Sequence, residues 1–332
     1  MPFCYSSCAF SGKRTVLTAF LPSVNDHNYI LESNLYSMDE SLQSPVHQPC
    51  GPICWVTMAT PDLDRSARAW EAGLNLLPVM EGKLEQDLAQ SYDTPELAGA
   101  PWILLGGQLG GVRLIEINNT SASGRPLSSL GWAAVEFSVT DLDLVISNAL
   151  SAGFDVLGHP RALGSNPSIR AAQLAVPGGG AVYLTDIQAY EGPLDLHRAS
   201  QLVDRAFIAV LASGDLERDR GWLAAEGIGQ IVTDRQVKVP VLEKSLGLKE
   251  GQEIRISSLQ LDEGCLVEID AYPCDSWSST DNSQWQSGMV MLTLASPVPL
   301  ARGQKCTSSL YAGCVRQLDR LPGGALLERI VL

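Results

Sequence analysis

Apolar and polar positions along the chain spell out one succession of elements several times over. Residues 51–60 (GPICWVTMAT) read as a nearly continuous apolar strand, and PDLDRSARAWEAGLNL after them places Leu63, Ala67, Trp70 and Leu74 on one helical face. Thr60 and Pro61 suit the N-cap and first helical positions. The succession returns at GWAAVEFSVT, followed by DLDLVISNALSAG with the stripe Leu142, Val145, Ile146, Ala149 and Leu150 and a stop at Gly153. A third copy runs AFIAVLASG and then DLERDRGWLAAEG. Asp62, Asp141 and Asp215 each precede a Leu and a second acid, at spacings of 79 and then 74 residues. That regularity marks an internal repeat.

Each helix is followed by sheet-forming segments that end in a glycine-turned hairpin: PWILLGGQLGGVRLIEINN, IRAAQLAVPGGGAVYLTDI and IRISSLQLDEGCLVEIDAY. Glycine supplies the positive φ of such turns, and no GxGxxG or GxxxxGK[ST] phosphate loop occurs. The C-terminal segment, GMVMLTLASP through CVRQLDRLPGGALLERIVL, repeats the last hairpin with little room for a helix. The fold class expected is α+β: four tandem βαβββ units, paired into two curved mixed β-sheet half-barrels with the helices outside. The corresponding organisation is a flexible arm over 1–48, a first two-unit domain over 49–190, a linker over 191–203 and a second domain over 204–332, with one full and one trimmed unit. A polar Ser/Trp-rich stretch, CDSWSSTDNSQWQS, precedes the last unit.

Composition narrows the function classes. The chain has 332 residues, 45% apolar and 18% charged, which is ordinary for a folded protein, and it lacks the ~18 consecutive apolar residues of a membrane span. Its 23 Lys and Arg against 37 Asp and Glu give a net charge of −14, which opposes a phosphate-tracking surface and argues against nucleic acid as a partner. The eight Cys lack CxxC pairs and read as reduced cytosolic thiols. A cytoplasmic location is expected, although residues 1–25 loosely fit an organelle-import segment.

The cadence of strand, Asp-Leu-acid, helix and terminal Gly-x-x-x-Glu hairpin, clearest over residues 132–187, resembles the vicinal oxygen chelate superfamily, which includes glyoxalase I, bleomycin-resistance proteins and extradiol dioxygenases. The resemblance spans about residues 51–332. It implies that first-strand and last-strand side chains of two paired units point into one cup, where metal-dependent relatives hold an ion through His and Glu. The first-strand His positions are occupied here by Trp55, Ala134 and Ile208, none able to ligate, whereas the last-strand positions carry Glu116, Tyr183, Glu268 and Glu328. The four His are His27, His47, His159 and His197, so a site of two His and one carboxylate is not assembled at the usual places. No cofactor is therefore expected. The alternative is an oxygen-only set for a hard cation from Glu268, Asp270 and Glu328.

Residues two apart on a strand share a face, so Ala134 brings Glu136 into the cup, Trp55 brings Thr57, Glu116 brings Leu114 and Asn118, and Tyr183 brings Thr185. The expected catalytic set is Glu116, Glu136, Tyr183 and His159, with Trp55, Thr57, Asn118, Arg161 and Thr185 binding substrate. Two neighbouring carboxylates in an apolar cup repel, which raises one pKa and separates proton donor from acceptor. The reading is a metal-independent lyase or isomerase acting on a small carbonyl or aromatic compound, with a homodimer as the assembly considered. A binder of bleomycin-resistance type, a metalloenzyme resembling extradiol dioxygenases or glyoxalase, and an empty-cupped partner subunit are the alternatives. Each residue also has a plainer reading: Glu116 falls in an ion pair with Arg113 if the register slips by one, Glu136 faces solvent, Trp55 and Tyr183 pack, and His159 lies in a surface turn.

Overall fold

The computed structural model describes residues 48–107, 109–118, 125–163, 166–273, 285–306, 308–311 and 313–331. The arm expected over 1–48 lies, Gln48 apart, outside the described residues, as do residues 274–284 of the Ser/Trp-rich stretch. Unit one comprises β1 (Ile53–Thr60), α1 (Leu63–Leu74), β2 (Pro78–Lys83), α2 (Gln86–Ser91), β3 (Pro101–Leu105) and β4 (Gly111–Glu116). Unit two comprises β5 (Gly131–Val139), α3 (Leu142–Ser151), β6 (Asp155–Leu163), β7 (Asn166–Ala175) and β8 (Ala181–Ile187). Unit three comprises β9 (Val203–Ser213), α4 (Leu216–Ala225), β10 (Gln230–Lys238), α5 (Pro240–Leu246), β11 (Glu253–Gln260) and β12 (Leu266–Ala271). Unit four comprises β13 (Gly288–Ala295), β14 (Gln304–Lys305), β15 (Val315–Arg320) and β16 (Leu326–Val331), with no helix over 296–303.

The repeated Asp-Leu-acid has a local cause. Asp62, Asp141 and Asp215 are the N-caps of α1, α3 and α4, and their carboxylates accept from the backbone N–H groups of Arg65 (2.9 Å), Leu144 (3.0 Å) and Arg218 (3.2 Å). The second acid lies in the first turn, where it favours the positive end of the helix dipole. The cap of α1 is thus Asp62 rather than Thr60, whose hydroxyl pairs with Ser66 Oγ at 2.6 Å. Trp70 and Leu74 are fully buried as expected, while Leu150 of the α3 stripe faces solvent.

Two eight-stranded mixed sheets form. Sheet I has the order β14-β15-β16-β13-β1-β4-β3-β2 and sheet II the order β10-β11-β12-β9-β5-β8-β7-β6. Unit one therefore pairs with unit four through antiparallel β1 and β13, and unit two with unit three through antiparallel β5 and β9. This differs from the consecutive pairing within 49–190 and 204–332 expected from sequence. The four first strands carry similar, mostly apolar patterns, so nothing in them says which copy is the neighbour. Residues 191–202, without helix or strand, run along unit three, where His197 N donates to Gly264 O at 3.0 Å.

The sheets join through their helix-side faces. Trp70 of α1 packs on Phe137 of β5 and edge-on against Phe154, with ring centroids 6.1 and 5.7 Å apart, and Trp132 Nε1 donates to Leu326 O at 2.7 Å. The turn before β8 presses on unit one. A Cβ on Gly178, at φ 93°, would collide with the Ser66 and Thr60 hydroxyls, so only glycine fits there. Among the described residues no helix is long and apolar enough to cross a membrane.

Candidate functional site

The strand registers place equivalent residues in the two concavities. In sheet I, Thr57 of β1 pairs with Arg113 of β4, Thr293 of β13 with Glu328 of β16, and Arg316 of β15 with Ile330. The same ladder steps in sheet II pair Glu136 of β5 with Tyr183 of β8, Val210 of β9 with Glu268 of β12, and Ile256 of β11 with Asp270. Arg113 thus corresponds to Tyr183, Arg316 to Ile256, Thr57 to Glu136, Glu328 to Glu268 and Ile330 to Asp270.

The concavity of sheet I is filled by its own chain. Tyr92, after α2, and Tyr311, from the turn between β14 and β15, enter from the two sheet edges and meet with their hydroxyls 3.0 Å apart. Arg113, 1% exposed, donates to Thr57 Oγ1 (3.0 Å), Tyr311 OH (2.9 Å) and Tyr92 OH (3.3 Å). Glu328, with no exposure, accepts from Thr293 Oγ1 (2.9 Å), Tyr311 OH (2.8 Å) and the Arg316 guanidinium, which also lies 5.0 Å from the Tyr92 ring centre. Burial opposes the charge on Arg113, but Tyr311, Tyr92 and Glu328 more than offset it and hold the guanidinium protonated. Trp55, expected as a ligand platform, packs against Tyr311 with 5.9 Å between ring centres, and Thr57 is occupied by Arg113.

The concavity of sheet II is different. α5 packs across to β6, bringing the two sheet edges together. Its floor carries Glu136, 7% exposed, whose Oε1 accepts from Thr185 Oγ1, with Asp270 buried and Glu268 partly exposed beside it. Burial, then the Glu268 charge, pushes the Glu136 carboxyl up to about 8 against the opposing Thr185 hydrogen bond. Burial raises Glu268, with Arg235 opposing, and burial followed by Glu268 and Glu136 raises Asp270 well above the ordinary carboxylate value. Tyr183 and Tyr272 are likewise raised by burial and then by this surrounding negative potential.

Among the described residues, five buried polar atoms on the inner face of sheet II have no hydrogen-bond partner: Ser138 Oγ, Tyr183 OH, Thr233 Oγ1, Asp270 Oδ1 and Tyr272 OH. They share the face of Glu136 because residues two apart, or directly opposite across a ladder, point the same way. Such groups cost stability unless something fills their bonds, so their convergence makes this face the candidate site. In sheet I the comparable orphans are Trp55 Nε1 and Ser308 Oγ, outside the arginine network.

The structure brings together Glu136, Tyr183, Thr185, Glu268 and Asp270 of the expected residues. The others lie elsewhere. Glu116 pairs with Thr60 at the end of β4, on the helix side of the sheet, and its Oε2 accepts from Leu63 N at 3.2 Å. The register is one residue off that expected, so Arg113 rather than Leu114 faces the cup, and Asn118 is exposed. His159 and Arg161 are exposed on β6, an edge strand where solvation satisfies them. The oxygen-only set is divided, with Glu328 in sheet I and Glu268 and Asp270 in sheet II. Among the described residues no three His, Cys, Asp or Glu are arranged to hold a metal ion, and Ala134 and Ile208 offer no donor, so these residues do not fit the ion that the resemblance implies. Ser138 and Tyr272 join the site beyond the residues expected from sequence, and strand parity from Glu136 and Asp270 points to both.

No family model and no curated protein matches the sequence. Solved structures do match. A mutant of glyoxalase I from Zea mays superposes with a TM-score of 0.55 at 13% identity, over 84% of this chain and 92% of that one. A candidate dioxygenase from Bacillus subtilis subsp. subtilis str. 168 gives a TM-score of 0.55 at 11% identity, over 86% of each chain. At such identity the likeness concerns the fold, and it runs through all four units. Tandem βαβββ units, curved mixed sheets and matched solved structures together give this chain the vicinal oxygen chelate fold.

Proposed function

We propose that the concavity of sheet II binds a small carbonyl compound and that Glu136 moves a proton on the carbon beside the carbonyl, as a metal-independent lyase or isomerase would. The observation that carries this reading is the pairing, on one buried face, of Glu136 with the unpartnered hydroxyl of Tyr183. As a carboxylate, Glu136 accepts the proton; as the acid, it returns it to the same or a neighbouring atom. Tyr183 and Tyr272 are donors for the oxygen on which charge develops, and their burial strengthens that contact. Thr185 fixes the Glu136 carboxyl and favours its ionised form. A positioned base of this kind contributes about 10²–10⁴-fold.

The test is solvent exchange: small ketones and aldehydes, hydroxyacetone first, are followed by proton NMR in D₂O with wild-type protein and Glu136→Gln. The reading expects exchange with the wild type and a loss of about 10²–10⁴-fold in the variant. Absence of exchange in the wild type, or equal exchange in both, contradicts it. The unpartnered hydroxyls also suit a second reading, ligand sequestration without turnover. Under that reading Glu136→Gln and Tyr183→Phe both weaken binding and no exchange is seen.

A further inference from the structure

The two concavities are built on the same ladder positions, and one carries in its own side chains what the other lacks. Sheet I places Arg113 and Arg316 around the acid Glu328, with the phenol oxygens of Tyr92 and Tyr311 completing their contacts. At the equivalent positions sheet II has Tyr183 and Ile256, and it adds acids where sheet I has Thr57 and Ile330. The inner face of sheet II therefore holds Glu136, Glu268 and Asp270, and among the described residues no buried arginine or lysine stands with them. The cation acting on the group is Arg235, whose side chain is exposed on β10 and eases Glu268 alone. Four side chains on this face, Ser138, Tyr183, Asp270 and Tyr272, are more than nine-tenths buried, and each has a polar atom without a partner among the described residues.

From this comparison we infer that the ligand of sheet II is a small organic cation, an ammonium or guanidinium compound, occupying the place that the Arg113 and Arg316 side chains fill in sheet I. The inference rests on sheet II being the ligand site and adds the charge of what binds there. Burial first, and then repulsion among the acids, makes them retain protons; an entering cation offsets both effects and drives those protons off. In that way the ligand converts Glu136 to its base form on arrival. Anionic compounds are disfavoured, because they would have to enter beside these acids and, among the described residues, no buried cation on the inner face pairs with them.

The experiment uses the full chain and three probes of one shape: benzylammonium, benzyl alcohol and benzoate, titrated by calorimetry at pH 7 in two buffers of different ionisation enthalpy. Benzylammonium is expected to bind at least about tenfold more tightly than the alcohol, with proton release to the buffer, and benzoate not to bind. Glu268→Gln is expected to erase most of that preference. Tyr183→Arg, which installs the sister concavity's arginine, is expected to abolish ammonium binding. Equal or tighter binding of the alcohol or benzoate, no heat from benzylammonium up to roughly 10 mM, or an unchanged preference in both variants overturns the inference. Ammonium binding without carbonyl-proton exchange would instead remove the catalytic reading and leave this one standing, and exchange confined to anionic substrates would do the reverse.

Discussion

The concavities of sheets I and II descend from one repeated pattern yet solve opposite problems. In sheet I every group of the central network is answered: Arg113 by Thr57, Tyr92 and Tyr311, and Glu328 by Thr293, Tyr311 and Arg316. In sheet II the equivalent places hold acids and phenols whose pKa values are raised by burial and then by one another, and among the described residues five buried polar atoms stay unanswered. A buried polar network stabilises when complete and costs stability when partial. The contrast separates a concavity whose polar groups are satisfied by its own chain from one whose polar groups, among the described residues, are not.

The sharpest way to break the comparison is to remove one polar group from each side. Arg113→Met leaves two phenols and a threonine without their buried cation, Glu328 keeping Arg316, and is expected to cost about 3–5 kcal/mol in urea unfolding. Tyr183→Phe, at the equivalent step, deletes an unpartnered hydroxyl and is expected to stay within about 1 kcal/mol of wild type in either direction. Similar losses in the two variants would erase the distinction drawn here.

A second effect concerns pH. The Glu136 carboxyl stands at about 8 in the folded protein against an ordinary 4.5, so the folded state holds a proton that the unfolded chain has released. Its contribution is present in full below about 4.5 and is lost as pH rises through about 8, which makes the protein less stable across that window. Glu136→Gln should flatten this part of the stability profile, measured by urea midpoints at several pH values. A profile unchanged by the substitution would count against the burial of that charge. Thr185→Val sharpens the point: it removes the hydrogen bond that favours the ionised form, so the Glu136 midpoint should move further up.

Smaller effects are expected outside both cups. Glu116→Gln removes a negative charge from the start of α1, where Oε2 meets Leu63 N, and should cost about 0.5–1 kcal/mol while leaving binding in sheet II intact. His159→Ala, on the exposed edge, should change neither unfolding nor ligand binding by more than about 0.5 kcal/mol.

Much of this architecture can be read from the chain alone because it is locally encoded. Asp62, Asp141 and Asp215 start helices by capping them, and parity carries Glu136 to Ser138 and Tyr183 to Thr185 without reference to the rest of the molecule. Pairing between units is not local: β1 chooses β13 across more than two hundred residues, and nothing in the pattern of either strand names the other. The position of Glu116 illustrates the cost of that gap. A shift of one residue in β4 moves it from the cup to a helix N-terminus and brings Arg113 inward. The plugs of sheet I were equally hidden, since Tyr92 and Tyr311 come from short insertions without periodicity and meet only in three dimensions.

Sheet II keeps an acid proton on Glu136, at the step where sheet I has Thr57 accepting from the Arg113 guanidinium. Carbon-13 NMR of the glutamate side-chain carboxyls, with Glu136 assigned by its absence from the Glu136→Gln spectrum, measures that directly. A titration midpoint near 8 for Glu136 in the ligand-free protein is the predicted result. A midpoint at the ordinary carboxylate value, about 4.3, would contradict the account.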